Sequence, residues 1–271
     1  MDAWSVERVL RALDAVRRQR PLVHNITNYV VMNTTANTLL ALGASPIMAH
    51  AREEVEEVVA VAGALVLNIG TLSAAWIESM RAAGLAARAR GVPVVLDPVG
   101  AGATKLRTRT AGQLLNEVRP TIVRGNASEI LALAGAGGGG KGVDSVHGVT
   151  EARQAAVDLA RSSGTVVAVT GAEDFVTDGR YAARVSNGDP WMARITGSGC
   201  AATAVTGAFA AVADPFSAAV SALVVFGLAG ELAAKDCPGP GTFQVRLLDA
   251  LASVSADHVR QFARVTVEVL P

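Results

Sequence analysis

The sequence of 271 residues has few cysteines, few aromatic side chains and no excess of charge of either sign. Two cysteines, Cys200 and Cys237, give no disulfide framework, so we expect a reducing compartment, the cytoplasm. Basic and acidic side chains number 24 each, and this balance argues against nucleic acid or an anionic membrane as a partner. The first residues carry acids and no apolar core, which predicts no secretory signal.

Apolar residues make up 51% of the chain and charged residues 18%, which is typical of a well-buried globular enzyme and excludes a disordered protein. Without an internal repeat or a linker, the chain is expected to form one domain over residues 1–271. Between Gly197 and Gly230 the only charge is Asp214. Because Gly, Ala, Ser and Thr dilute the hydrophobicity of this stretch and Asp-Pro predicts a turn, two buried helices are favoured over a membrane hairpin.

Apolar strand-like runs alternate with helical patterns along most of the chain. The runs lie at 64–70, 93–96 and 165–170, and helices are predicted at 33–42, 53–62, 74–89 and 151–161, the last capped by Thr150. A hairpin is predicted at 174–185, and two helical segments, 242–251 and 256–264, close the chain. The pattern predicts an α/β fold with a mostly parallel central sheet and helices on both faces. The glycine-rich run 135–142, with Lys141, is predicted to be a mobile surface loop.

Several predicted strands end in polar side chains, and the carboxyl ends of strands are where open α/β sheets place ligands. After Leu22 the polar cluster His24, Asn25, Thr27 and Asn28 fits either a ligand site or a solvated loop. Met48 is a candidate pocket lining, although the sequence alone favours core packing. Asp97, followed by Pro98 and two glycines, could hold a ligand or Mg²⁺, or could cap a helix.

The stretch Arg194-Ile-Thr-Gly-Ser-Gly-Cys200 runs directly into an uncharged, alanine-rich segment. Its glycines let the backbone turn sharply and leave free N–H groups at a helix N-terminus, which favours anion binding. Cys200 lies in the first turn, where the same field should lower the pKa of a thiol. Taken alone, the stretch slightly favours an ordinary turn followed by a buried, inert cysteine.

Six motifs, in order along nearly the whole chain, resemble the hydroxyethylthiazole kinases of thiamine salvage, within the ribokinase-like superfamily. They are His24-Asn-Ile-Thr-Asn-Tyr29, Gly43-Ala-Ser-Pro-Ile-Met48, Leu67-Asn-Ile-Gly-Thr-Leu72, Leu96-Asp-Pro-Val-Gly-Ala-Gly102, Arg124-Gly-Asn-Ala-Ser-Glu129 and Thr196-Gly-Ser-Gly-Cys200. Most of the superfamily ends the last motif in Asp, the catalytic base, whereas these kinases carry Cys. Ser198 stands where Thr is the commoner residue.

The resemblance implies Mg²⁺- and ATP-dependent phosphorylation of the primary alcohol of 4-methyl-5-(2-hydroxyethyl)thiazole, with Cys200 taking the alcohol proton. The other implied roles are thiazole contacts at Asn25, Met48 and Gly197, ATP contacts at Arg124 and Thr170, metal contacts at Asp97 and Glu129, and an anion hole formed by Gly197, Ser198, Gly199 and Cys200. The resemblance also implies a homotrimer with sites at subunit interfaces, so that residues 24–48 would serve a neighbour's site. No role is implied for Cys237.

Two alternatives remain at this stage. One is a related kinase for another small alcohol, such as hydroxymethylpyrimidine, and Cys200 in place of Asp argues against it. The other is a non-catalytic thiazole or nucleotide sensor on the same fold. The presence of Asp97, Arg124 and Glu129 together argues against loss of a catalytic site.

Overall fold

The computed structural model describes residues 4–135 and 146–271, without the side chains of residues 146–149. Apart from Gly135, the predicted loop 135–142 lies outside the described residues. The described residues contain one nine-stranded sheet. Its strands are β1 Leu22–Ile26, β2 Ser45–Ile47, β3 Ala64–Asn68, β4 Val94–Asp97, β5 Ile122–Asn126, β6 Val166–Thr170, β7 Asp174–Thr177, β8 Tyr181–Val185 and β9 Val265–Val269.

The sheet order is β2-β1-β3-β4-β5-β6-β7-β8-β9, and every pairing from β2 to β6 is parallel. The remaining three pairings, from β6 to β9, are antiparallel. The predicted mostly parallel sheet is therefore confirmed. Because β1 and β3 to β6 run in one direction, their carboxyl ends meet at one edge, with Asn68 paired to Asp97 and Asn126 paired to Thr170.

Helices cover both faces of the sheet. They are α1 Val6–Gln19, α2 Met32–Leu42, α3 Val55–Val61, α4 Ala74–Arg90, α5 Lys105–Val118, α6 Ala127–Leu133, α7 Val146–Ser163, α8 Ser198–Ala210, α9 Pro215–Ala234, α10 Pro240–Ser253 and α11 Ala256–Phe262. One hydrophobic cluster joins α1, α2 and α8 to α11 to the sheet, and a second joins α3 to α7 to the opposite face. The fold is thus a three-layer α/β/α structure.

Helices α8 and α9 form the centre of the first cluster, and every residue from Ala201 to Ala210 is buried. Small side chains let these helices approach the sheet closely: a Cβ added at Gly207 would lie 2.7 Å from a methyl carbon of Val66 on β3. In the described part of the chain, α9 is the one helix long and apolar enough to cross a membrane, yet 89% of that stretch is buried inside the fold. The prediction of two buried helices is confirmed.

Three details of the predicted elements were wrong. Helix α5 was not predicted, because basic and threonine side chains interrupt its apolar spacing, although Thr104 caps it by accepting from the Arg107 N–H. Thr150 lies inside α7 rather than at its start. The last helix ends at Phe262, and the alternating segment that follows pairs with β8 as the edge strand β9.

The close packing of α9 can be tested at Gly227, where a Cβ would lie 2.7 Å from the backbone carbon and oxygen of Asn187. Backbone cannot move aside as a flexible side chain can, so we expect Gly227→Ala to lower the free energy of unfolding by about 1–3 kcal/mol. The matched control is Gly112→Ala on α5, where a Cβ meets nothing within 4 Å. That variant should be stabilised by about 0.5–1 kcal/mol. Urea denaturation measures the free energy of unfolding of both variants. Equal changes in that free energy would contradict the close packing of α9 at Gly227.

Candidate active site

The N-terminus of α8 forms a tight turn that is held from outside the helix. Gly197 is the N-cap residue with φ +83°, a left-handed conformation that favours glycine. The Ser198 hydroxyl donates to the Met192 carbonyl at 2.7 Å, which ties the turn to the 3₁₀ helix Pro190–Arg194. The first-turn N–H groups have no acceptor within the helix, so the turn is suited to bind an anion.

Arg124 brings positive charge to this turn from the end of β5. A Cβ added at Gly199 would lie 2.9 Å from Arg124 Nη1, so the guanidinium group lies directly against the turn. The Arg124 Nε atom is buried and has no hydrogen-bond partner in the described part of the protein. A buried, partly unsatisfied guanidinium beside a helix N-terminus is a strong site for phosphate oxygens.

A cleft of about 590 Å³ extends from the turn between the end of β6 and α9, a size suited to a small ligand or cofactor. Its polar lining includes Arg124, Thr170, Asp174, Ser198 and Gly199, and its apolar lining includes Met192, Leu223 and Phe226. The cleft therefore joins an anion-binding end to an apolar end. Burial raises the pKa of Asp174 to about 6, against the opposing effects of a hydrogen bond from the Gly171 N–H and of the Arg124 charge.

Asp97, at the end of β4, is 1% exposed. Its Oδ2 atom accepts hydrogen bonds from Asn68 Nδ2 at 2.7 Å and from the Thr203 hydroxyl at 2.8 Å. Its Oδ1 atom is buried and has no hydrogen-bond partner among the residues described. Burial raises the pKa of Asp97 to about 6, although Arg124 opposes this shift. One oxygen is thus fixed by the protein while the other remains available to a ligand.

Both carboxylate oxygens of Glu129 are already occupied. Oε2 accepts from the Asn126 N–H at 2.8 Å, completing a capping box at the start of α6, and Oε1 accepts from the Gly100 N–H at 2.9 Å. Across the described ranges, no group of three or more His, Cys, Asp or Glu side chains is placed to hold a metal ion. One available carboxylate oxygen, with water and phosphate oxygens completing the shell, fits Mg²⁺. Asp97 therefore fits a direct contact with Mg²⁺, and Glu129 fits one through water.

Cys200 lies in the first turn of α8 with its Sγ atom 3.5 Å from Asn28 Nδ2. Burial, followed by the nearby charge of Asp97, raises the pKa of the Cys200 thiol to about 11. The prediction that the helix N-terminus lowers this pKa was wrong, because desolvation outweighs the field of the helix. The thiol is neutral at pH 7 in the unliganded protein.

The polar cluster after Leu22 is buried, since His24, Asn25, Thr27 and Asn28 are at most 4% exposed. This excludes the solvated-loop alternative. Asn25 Nδ2 donates to the Val23 carbonyl, whereas Asn25 Oδ1 is buried without a partner in the part of the chain described.

Met48 is half-buried and directly follows Ile47, the β2 partner of His24, so it lies level with Asn25. Gly197 packs against the same β1–α2 connection, because its added Cβ would lie 2.6 Å from Val31 Cγ1. The turn therefore lies between the β1–α2 connection on one side and the cleft on the other.

The structure also places residues at the site that the sequence did not single out for a role. Asn68 and Asn28 connect Asp97 to Cys200, Thr203 donates to Asp97, and Asp174 lines the cleft. Thr203 could have been found as a polar residue three positions after Cys200 in an apolar helix. A larger cavity, about 770 Å³, lies between β9 and the starts of α1 and α9, but it contains none of the predicted site residues.

Comparison with known proteins gives consistent results over most of the chain. The model of the hydroxyethylthiazole kinase family matches residues 13–257. A hydroxyethylthiazole kinase of Nitratidesulfovibrio vulgaris is 55% identical over 260 residues, 96% of this chain and 97% of that one. The structure of a hydroxyethylthiazole kinase protein from Pyrococcus horikoshii OT3 has a TM-score of 0.90 at 48% identity and covers 97% of this chain and 99% of its own.

A more distant structure supports the fold. The pyridoxal kinase of Staphylococcus aureus in complex with ADP has a TM-score of 0.63 at 18% identity, covering 92% of this chain and 99% of that one. At this identity the likeness concerns only the fold. It agrees with the ribokinase-like architecture expected from the sequence motifs.

Proposed function

The chain belongs to the hydroxyethylthiazole kinase family, and we propose that it transfers the γ-phosphoryl group of ATP to the primary alcohol of 4-methyl-5-(2-hydroxyethyl)thiazole. The catalytic unit is one kinase domain over residues 1–271. The observation that carries this proposal is the contact between Arg124 and Gly199, which puts a guanidinium group against a helix N-terminus at the end of the cleft.

Phosphoryl transfer depends mainly on positioning and on neutralising the charge of the phosphate oxygens. Arg124 and the N–H groups of Ser198 to Cys200 would bind those oxygens, and Thr170 lines the same cleft. The alcohol oxygen attacks the γ-phosphorus atom, the bond to the β–γ bridging oxygen breaks, and ADP leaves. The proton of the alcohol passes to the thiolate of Cys200.

The acceptor alcohol is assigned to the side of the turn opposite the cleft. Asn25, with an unpaired buried oxygen, Met48 and Gly197 lie there and would bind the thiazole. Asp97 would hold Mg²⁺ through Oδ1, and Glu129 would do so through water. A Mg²⁺ ion held by these carboxylates would supply positive charge to neutralise the phosphate oxygens.

The function is tested by ADP release from Mg-ATP with the thiazole alcohol, with hydroxymethylpyrimidine and with no acceptor. We expect turnover with the thiazole only, and loss of that turnover when EDTA removes the metal. Turnover with hydroxymethylpyrimidine would instead support the related-kinase alternative. Tight thiazole binding without turnover would support a sensor and contradict a catalytic role of Cys200.

The high pKa of Cys200 predicts slow turnover and a distinctive pH dependence. With a pKa of about 11, about one thiol in ten thousand is ionised at pH 7. A base must be deprotonated to act, and the pH dependence of kcat/KM reports ionisation in the free enzyme, so the native kcat/KM for the thiazole should rise about tenfold per pH unit from pH 7 to 9. Cys200→Asp supplies a carboxylate that is ionised in this range, so it should keep or raise the rate at pH 7 and flatten the profile.

Cys200→Ala is the matched control, and it should lose at least about 100-fold in kcat. Steady-state rates across this pH range provide the measurement. If Cys200→Asp is as inactive as Cys200→Ala, Cys200 is not the base.

We also propose a cytoplasmic homotrimer with active sites at the subunit interfaces. Exposed apolar side chains on neighbouring elements support an interface next to the site. They are Tyr29 and Val30 in the β1–α2 connection, Leu40 on α2 and Val245 on α10. The two free cysteines agree with a reducing compartment.

Light scattering after size exclusion should give three times the mass of the 27.7-kDa chain. Val30→Asp should shift the protein to monomers and lower the rate, because it places a charge in the interface. The exposed Val61→Asp on α3 is the control and should remain trimeric. A fully active native monomer would contradict the interface site.

A further inference from the structure

Two asparagines connect the buried carboxylate of Asp97 to the thiol of Cys200. Asn68 Nδ2 lies 2.7 Å from Asp97 Oδ2, Asn28 Nδ2 lies 2.8 Å from Asn68 Oδ1, and the same Asn28 nitrogen lies 3.5 Å from Cys200 Sγ. Both side chains are buried, with Asn28 4% and Asn68 1% exposed. They come from the first and third of the six sequence motifs, and the proposed function gives neither a role.

Backbone contacts fix the orientation of both amides. The Gly70 N–H donates to Asn68 Oδ1 at 3.0 Å, and the Val30 N–H donates to Asn28 Oδ1 at 3.1 Å. Because an N–H group requires an acceptor, each oxygen is identified and each nitrogen must face the other way. An ionised Asp97 can only accept, so Asn68 donates to Asp97, and Asn28 donates both to Asn68 and to Cys200 Sγ, which is the acceptor.

The position of Asn28 is also fixed by packing. A Cβ added at Gly70 would lie 2.6 Å from Asn28 Nδ2, so the asparagine fills the space that a side chain at position 70 would need. One amide hydrogen of Asn28 is directed to Asn68 and the other lies near the sulfur of Cys200. The sulfur is therefore held on the side of the α8 turn that faces the β1–α2 connection. That is the side assigned above to the acceptor alcohol.

We propose that Asn28 is a positioning residue that holds the sulfur of Cys200 for proton transfer, and that Asn68 fixes Asn28 relative to Asp97. The inference rests on the proposed function, since it needs Cys200 to accept the alcohol proton. Asn28 acts on the transfer step through Cys200, so its loss should lower kcat and leave the binding of both substrates nearly unchanged.

A double-mutant cycle of Asn28→Ala and Cys200→Ala tests this. Asn28→Ala should lower kcat about 10- to 100-fold, as is typical when a group that orients a reactive one is lost. The KM values, and the dissociation constants of ADP and the thiazole by calorimetry without metal, should change less than about threefold. In the Cys200→Ala background, Asn28→Ala should have almost no further effect on kcat.

Thr71→Val is the matched control. The Thr71 hydroxyl accepts from the Tyr29 N–H at 3.1 Å, so this variant loses a hydrogen bond that holds the same loop but does not involve Cys200. Its rate should stay within about threefold of the native rate. If Asn28→Ala unfolds below the assay temperature, Asn28→Ser replaces it in the cycle, because it keeps a short acceptor for the Val30 N–H and adds no charge beside Cys200.

The outcomes separate this inference from the proposed function. A native protein inactive with the thiazole, or a Cys200→Ala variant with the native rate, would overturn the proposed function and this inference with it. If Cys200→Ala is impaired but Asn28→Ala resembles Thr71→Val, only the inference is overturned. The same follows if Asn28→Ala lowers kcat by an equal factor in both backgrounds, because that factor would reflect a general loosening of the loop.

Discussion

The site depends on the burial of one carboxyl group, that of Asp97. Placing a carboxylate at 1% exposure opposes its ionisation, and the protein compensates with two hydrogen bonds to the same oxygen and with the nearby charge of Arg124. These partners come from β3, α8 and β5, so the carboxylate links the sheet to the helix that carries the anion-binding turn. Only Oδ2 of Asp97 accepts hydrogen bonds, so the cost of burying the carboxylate is not fully offset. Oδ1 is therefore suited to bind a cation.

Close approach of backbone to side chains is the second requirement of this arrangement. Gly199 lies against Arg124 and Gly197 against Val31, so a side chain at either position would force the turn away from the guanidinium or from the β1–α2 connection. The turn is therefore positioned by contacts on both sides as well as by its own conformation. The same requirement extends to Gly70, which leaves room for Asn28. Three glycines in two separate motifs thus determine the distances between charged and polar groups of the site.

The sequence was sufficient to predict which strands are buried and that polar residues follow them, because both signals are local. Alternating runs predicted the α/β fold, and the predicted site residues Asp97, Arg124 and Thr170 lie at the expected edge of the sheet. Helix α5 was missed because its apolar spacing is interrupted, and β9 because a short alternating segment directly follows a helix. The order of the strands and the partners of each polar side chain depend instead on contacts between segments that are distant in the sequence.

The contacts of Asn28 with Asn68, and of Asn68 with Asp97, exist because β1, β3 and β4 are neighbours in the sheet. Strand order depends on contacts between distant segments, so it cannot be predicted from the spacing of residues along the sequence. The pKa of Cys200 was wrongly predicted for the same reason, since burial depends on what packs over the helix rather than on the helix itself.

The raised pKa of Cys200 gives a physical reason for a thiol at this position. A second carboxylate near Asp97 would add another buried negative charge in the unliganded protein, and like charges oppose each other's ionisation. A thiol stays neutral there and can be buried without an ionic partner. The same property limits it as a base, because the ionised form is scarce at neutral pH. Donors around the sulfur, such as Asn28, then become important because they favour the thiolate in the geometry where it reacts.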